Sequence, residues 1–406
     1  MPASRTACPG CGGTDLTPVH AAAGVPVQSM LLLRDPAAAR SVPAGDLDLA
    51  LCGACGLIFN RTYDPALTAH EGEYEASQGF SATFSAFQQR LAEDLIGRHR
   101  LHGKRIVEIG CGQGEFLRRL CDLGGNSGVG FDPCCVDAHG AVGDDGRVRV
   151  VREPYDPAHP DAAGDLICCI QTLEHIADPY AFVARVRAAV GARRDVPVVF
   201  QVPDVAAILR DGAFWDVYYE HCTYFTAGAL RRLFRRAGFD VLGCRSEYDG
   251  QYLLIEALAG DGDAAEAEAD GDDTGVSVEA FAASCRQQIA AWRGVLDQAR
   301  RDGERLAIWG GGSKTVAFLT TLGAGDEVAY AIDINPRKQG CYLPGTGHAV
   351  AAPSRLVDEP VDRVIAMNPI YLSEIWAEMD RLGVAPELWP ATRFTAQHVP
   401  PVRATA

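Results

Sequence analysis

The 406-residue chain has no apolar run approaching the roughly 20 residues that cross a bilayer, so a membrane-spanning protein is not expected. Its opening, Met1-Pro-Ala-Ser-Arg-Thr-Ala-Cys8, holds no apolar secretory segment, and the expected location is cytoplasmic. Basic charge is scarce: 37 Lys and Arg stand against 53 Asp and Glu, a formal net charge of −16. With no basic stripe to displace phosphate counterions, nucleic acid is not an expected partner. The acidity is also local. Seven acidic residues and no basic ones lie between Gly260 and Gly275, and 259–276 is expected to be a linker or loop because it has little to bury. A disulfide framework is missing as well. Of the 14 cysteines, four form two Cys-x-x-Cys pairs near the N-terminus, and the rest are scattered, some inside apolar runs, as Cys168 and Cys169 are. What remains is 48% hydrophobic and 22% charged, the mixture of a globular protein with a core, and the length allows two or three domains.

The cysteine pairs, Cys8-Pro-Gly-Cys11 and Cys52-Gly-Ala-Cys55, supply four thiolates, the donor set of a structural zinc ion. Each pair is followed by glycine, which permits the tight turn that exposes amides to sulfur. Forty residues separate the pairs, longer than the usual zinc-ribbon spacing, so small excursions such as 25–33 must fold between them. Redox thiols and simple buried cysteines are the alternatives.

From Lys104 onward, short apolar runs alternate with amphipathic stretches, the pattern of a parallel α/β sheet. Strands are expected at 105–109, 126–130, 147–151, 165–171, 196–202 and 251–258, preceded by a helix over 80–101. Beyond the acidic stretch come a long helix over 278–301 and a second, smaller α/β unit with strands at 305–309, 328–332 and 363–367.

The first strand runs into Glu108-Ile-Gly110-Cys-Gly112-Gln-Gly114 and then a helix. Glycines at 110, 112 and 114 remove the Cβ atoms that would keep a ligand off the backbone. At the end of the next strand, Gly128-Val-Gly-Phe-Asp132 places a carboxylate where ribose hydroxyls are bound in such folds. A dinucleotide site expects G-x-G-x-x-G. The form here, Glu-x-Gly-x-Gly-x-Gly, resembles motif I of class I methyltransferases, which implies S-adenosylmethionine (SAM) as cofactor. Gln171, at the end of the fourth strand, is then expected near its methionine end, and Glu153 near its adenine. A plain strand-closing turn is the alternative. In the second α/β unit, Gly310-Gly-Gly-Ser313 offers amides to an anion, with Lys314 adding charge and Asp333 in the ribose position. A purely structural unit would carry the same turn.

Residues 214–225, Phe-Trp-Asp-Val-Tyr218-Tyr219-Glu220-His221-Cys-Thr-Tyr224-Phe, set ionisable groups among aromatics. That composition makes a half-buried site with shifted pKa values, or else a helix start packed by aromatics with incidental polar tips.

The cysteine pairs, the central unit with its Glu-His-Ile-Ala-Asp-Pro segment, and the C-terminal unit with Asn335-Pro-Arg-Lys-Gln-Gly-Cys-Tyr-Leu-Pro-Gly-Thr-Gly347 occur in one order along nearly the whole chain. That order resembles the nucleoside-diphosphate-sugar C-methyltransferases of branched deoxysugars, the tetronitrose and mycarose type. The resemblance implies a doubly wound class I SAM methyltransferase sheet, with a small N-terminal zinc-binding domain and a C-terminal Rossmann-like α/β domain. The implied boundaries are 1–70, 71–258 and 277–406, with 259–276 between. It further implies a Tyr-x-Glu-His active site at Tyr218, Glu220 and His221. His221 would take the proton α to a ketone of a nucleotide-linked 4-keto sugar, Glu220 would orient the imidazole, and Tyr218 would donate to the enolate oxygen. Two positions depart from the family: Tyr219, where histidine is usual, and Gly-Gly-Gly-Ser-Lys314 in place of Gly-Ala-Ser-Ala-Lys-Gly. Both are expected where substrate sits. Methyl transfer to oxygen or nitrogen, or a zinc-bearing scaffold with no enzymatic activity, are the other readings of the same residues.

Overall fold

The computed structural model of the chain describes residues 4–68, 73–135, 146–260 and 278–395. Most of the acidic stretch expected as a linker lies outside them.

The central sheet has seven strands in the order Phe239–Glu247, Tyr252–Ala259, Val198–Pro203, Leu166–Ile170, Arg105–Ile109, Ser127–Phe131 and Val148–Val151. The last five run parallel, while Tyr252–Ala259 is antiparallel to both its neighbours. This is the class I SAM methyltransferase arrangement. The strand order reverses between Arg105–Ile109 and Leu166–Ile170, and a doubly wound sheet opens its ligand crevice at that switch point.

Sequence dictates the close packing there. Leu166, Ile167, Cys168 and Cys169 are wholly buried, as expected of a strand covered on both faces. Two glycines let the Glu115–Gly124 helix and its loop lie close on the neighbouring strand. A Cβ at Gly128 would fall 2.6 Å from Leu117, and one at Gly130 2.4 Å from Cys111 Sγ.

A second sheet is wholly parallel, in the order Val350–Ala351, Val328–Ile332, Leu306–Trp309, Arg363–Ala366, Glu387–Pro390. A third is antiparallel: Leu16–Pro26, Ala44–Cys52, Ile58–Asn60 and Thr223–Tyr224. Its fourth strand comes from more than 160 residues downstream, so the N-terminal sheet is completed by the segment carrying His221. One apolar core joins Leu47 and Ile58 of this sheet to Phe214, Trp215 and Tyr219, and on to Trp292 and Phe318. A boundary at residue 70 therefore divides the chain but not its packing.

The expected strands of both parallel sheets start and end within one or two residues of those observed, and the helices are Ala82–His99 and Val278–Asp302. The long N-terminal hairpin, Leu16–Pro26 with Ala44–Cys52, was not expected. Ala, Gly and Pro fill most of its first strand, and none of these favours a sheet intrinsically. The signal was in its second strand, where Leu47, Leu49 and Leu51 alternate with Asp46, Asp48 and Ala50.

Candidate active site

The crevice is built by the loop after Arg105–Ile109. Gly110, Gly112 and Gly114 all have positive φ, at 70°, 54° and 76°. A Cβ at Gly110 would stand 2.0 Å from Thr172 Oγ1, so glycine is required there on two grounds. Asp132 closes the crevice at the next strand end. Its Oδ2 accepts from the Gly112 amide at 2.8 Å and its Oδ1 from the Cys134 amide at 2.7 Å, and a carboxylate has further lone pairs to offer a ligand. Gln171 holds a left-handed φ of 52°, rare for a side-chain-bearing residue. It is pinned by its amide to the Gln201 carbonyl at 2.8 Å. Glu153 is exposed just past Val148–Val151. Glu108 is fully buried: burial pushes its carboxyl up to about 8, against a hydrogen bond from the Leu117 amide, and its Oε2 has no hydrogen-bond partner among the described residues. It braces the helix that follows the loop.

The turn Leu173–His175, just after Gln171, is hydrogen-bonded to the aromatic segment. His175 Nδ1 lies 3.0 Å from the Glu220 carbonyl, and the Cys222 amide donates to the Glu174 carbonyl at 2.9 Å. His221 is 6% exposed. Its Nε2 lies 3.0 Å from the Tyr218 hydroxyl, and its ring meets that of His175 edge-on at 4.8 Å. Burial, then His175 and Lys314, hold His221 well below the usual histidine range, so it is neutral. Burial raises the Tyr218 phenol well above its ordinary value, so it keeps its proton.

Glu220 is not bonded to the imidazole as expected. Its Oε2 accepts from the amide of Ser29 at 3.0 Å and from the Ser29 hydroxyl, and its Oε1 accepts from Tyr74 at 3.2 Å. The carboxylate ties down the N-terminal segment instead. Tyr219 also departs from expectation: its hydroxyl accepts from the Asp64 amide at 2.8 Å, and its ring packs against Gly45 and Tyr63. Position 219 thus faces the N-terminal sheet.

Ser29 and Tyr74 were not singled out from sequence, and Glu174 and His175 entered only as part of the segment 171–175, in which Gln171 was the residue named. Ser29 and Tyr74 reach Glu220 across 191 and 146 residues, and no local pattern marks such contacts. His175 carried a weak signal in its place four residues after Gln171.

The second glycine turn is also occupied. Gly311 donates its amide to Asp333 Oδ2 at 2.9 Å, and Asn335 donates to Asp333 Oδ1 at 2.8 Å. Met30 Sδ lies 3.3 Å from where a Gly312 Cβ would stand. The residues after the turn reach the aromatic segment: Ser313 Oγ lies 2.7 Å from Ser29 Oγ, and Lys314 pairs with Asp216 at 2.7 Å.

The four N-terminal cysteines converge. Sγ atoms of Cys8 and Cys55 lie 3.5 Å apart, as do those of Cys11 and Cys52, while Gly10 and Gly13 donate amides to Cys8 and Cys11 sulfur at 3.4 and 3.3 Å. That separation is too long for a disulfide and near the ~3.8 Å edge of a tetrahedron with ~2.3 Å metal–sulfur bonds. The donor set fits a thiophilic ion with no open position. Among the described residues, no helix is long and apolar enough to cross a membrane.

Comparison with known proteins agrees with this geometry. The methyltransferase domain family matches residues 82–243, and the C-methyltransferase C-terminal domain family matches 263–385. The C-methyltransferase NovU of Streptomyces niveus is 25% identical over 388 residues, 91% of this chain and 90% of that protein. Similar solved structures include the 1,6-didemethyltoxoflavin-N1-methyltransferase of Burkholderia thailandensis, 18% identical over 44% of this chain and 82% of its own, at a TM-score of 0.33. Another is the magnesium protoporphyrin IX methyltransferase of Synechocystis PCC 6803, 14% identical over 47% and 90%, at 0.34. The glycine loop, the seven-stranded sheet and the two matched domain families mark the chain as a SAM-dependent methyltransferase that is similar to C-methyltransferases.

Proposed function

We propose that the chain methylates the carbon α to the ketone of a nucleotide-linked 4-keto-deoxysugar. The observation that carries this reading is the buried, neutral His221 beside Tyr218, joined by the short run 171–175 to the SAM crevice. A neutral imidazole is the form that accepts a proton. His221 takes the α-proton, and the C–H pair becomes an enolate. Tyr218 supplies a hydrogen bond to the charge that develops on oxygen. The enolate carbon attacks the SAM methyl, the sulfonium–methyl bond breaks, and the sulfur keeps its electron pair as S-adenosylhomocysteine. One proton is released per turnover.

Gly110, Gly112, Gly114, Asp132 and Gln171 line the SAM site in this account, Glu153 stands toward adenine, and Glu108 supports the loop from behind. Glu220 holds Ser29 and Tyr74 against the acceptor side. Cys8, Cys11, Cys52 and Cys55 hold a structural zinc ion, which the convergence of their four sulfurs supports; elemental analysis should give about one zinc per chain, and none would remove this part. A panel of 4-keto nucleotide sugars with methyl-labelled SAM tests the acceptor. Label on a sugar carbon is expected. Label only on oxygen or nitrogen, or no turnover across the panel, would count against the reading.

A further inference from the structure

One buried acid at the site has no role in the account so far. Glu174 sits in the turn Leu173–His175, stitched to the His221 segment by the Cys222 amide and by Thr223 Oγ1, which donates to the Leu173 carbonyl at 3.2 Å. The residue is 2% exposed, and its Oε2 has no hydrogen-bond partner among the described residues. A buried carboxyl with one oxygen left unpartnered is costly, and such groups cluster where charge changes during function. One Glu174 oxygen, one His175 ring nitrogen and one His221 ring nitrogen all lie within 4.8 Å of one another. The neighbouring ionisable groups are already engaged: Glu220, whose carboxyl burial raises above the usual range, by Ser29 and Tyr74, and Lys314 by Asp216.

We propose that Glu174 is a positioning residue whose carboxylate balances the charge of His221 when His221 has taken the substrate proton. This rests on His221 being the base. Methyl transfer releases one proton into a buried site, where a lone imidazolium is strongly disfavoured. An imidazole and a carboxylate together carry that proton with no net charge until it leaves for solvent. Glu174 must be ionised to do this.

The groups that face Glu174 are His175, His221, Cys169, Tyr218, Cys222 and Tyr252. Burial keeps the thiols and phenols protonated and both histidines neutral. Burial pushes Glu174 up to about 8, so its carboxyl is protonated at neutral pH and ionises just above it. Activity should therefore climb with pH through that range. Glu108, held near the same value, is the control.

The test is the pH profile of kcat/KM for the wild type and for Glu174→Gln, Glu174→Asp, Glu108→Gln and His221→Asn, with SAM affinity measured alongside. In Glu174→Gln the rise near pH 8 should vanish and the rate should fall about 10²-fold, with SAM affinity little changed. Glu174→Asp should keep a rise at a displaced pH, and Glu108→Gln should keep it in place. If Glu174→Gln loses SAM binding, Glu174→Asp decides: an undisplaced rise overturns the proposal. A wild-type rate and profile in Glu174→Gln also overturns it. Should His221→Asn be inactive in that case, the base assignment survives and only Glu174 falls. Near-normal transfer by His221→Asn would remove the base assignment itself.

Discussion

The Tyr218 hydroxyl stands 3.0 Å from His221 Nε2, with both groups neutral because burial moves their pKa values in opposite senses. Tyr218 stays an acid and His221 stays a base at the same pH. Two groups whose environments drive their pKa values apart are what an acid–base step needs.

Tyr218→Phe removes the hydroxyl and keeps the ring. We expect kcat to fall about 10²-fold, as for loss of one donor to a developing oxyanion, with SAM affinity unchanged by calorimetry. An unaltered kcat would show that Tyr218 only packs.

Tyr219→Phe should behave differently, although the two tyrosines are adjacent. It loses the hydrogen bond from the Asp64 amide, worth about 1 kcal/mol of stability. Denaturant unfolding should show that loss, while kcat/KM stays at the wild-type level. A changed acceptor preference would return position 219 to the substrate site.

Gly110→Ala tests the loop. The new Cβ meets Thr172 at a φ that L-residues avoid, and strain plus overpacking sum to about 3 kcal/mol. SAM affinity should drop about 10²-fold by titration. Unchanged affinity would mean that the crevice lies elsewhere.

Glu256 makes a prediction about pH and stability. The residue is 1% exposed. Burial raises its pKa, but His99, Arg245 and Arg98 outweigh burial and hold it at about 2, against an ordinary 4.5. A depressed carboxyl stabilises the fold fully above the ordinary value, and that contribution is lost as pH falls toward the depressed one. Glu256→Gln should therefore be less stable than wild type at pH 7, and the gap should close between about pH 4.5 and 2 in acid-unfolding curves. A constant gap across that window would contradict the assignment.

The parts of the site written into one stretch of chain were legible. Gly110, Gly112 and Gly114 announce a backbone need, and Asp132 follows from its place at the next strand end. The fold class followed from alternating apolar runs in the same way. What escaped was long-range. The family resemblance implied that Glu220 orients the imidazole, yet Ser29 and Tyr74 arrive from far upstream to bind it. Tyr219 was misplaced for a related reason: it sits in a turn closed by the His221 amide donating to the Tyr218 carbonyl, and only the N-terminal sheet shows which way its side chain is held. That sheet was itself hidden by an Ala- and Gly-rich strand.

The central claim is that His221 removes a proton α to a ketone before the methyl moves. The measurement is deuterium exchange at that carbon in heavy water, using a 4-keto nucleotide sugar with S-adenosylhomocysteine in place of SAM. Wild-type enzyme should exchange the α-proton, and His221→Asn should not, while still binding the cofactor. Transfer from SAM at near wild-type rate by His221→Asn, or a product methylated on oxygen with the α-proton retained, would contradict it.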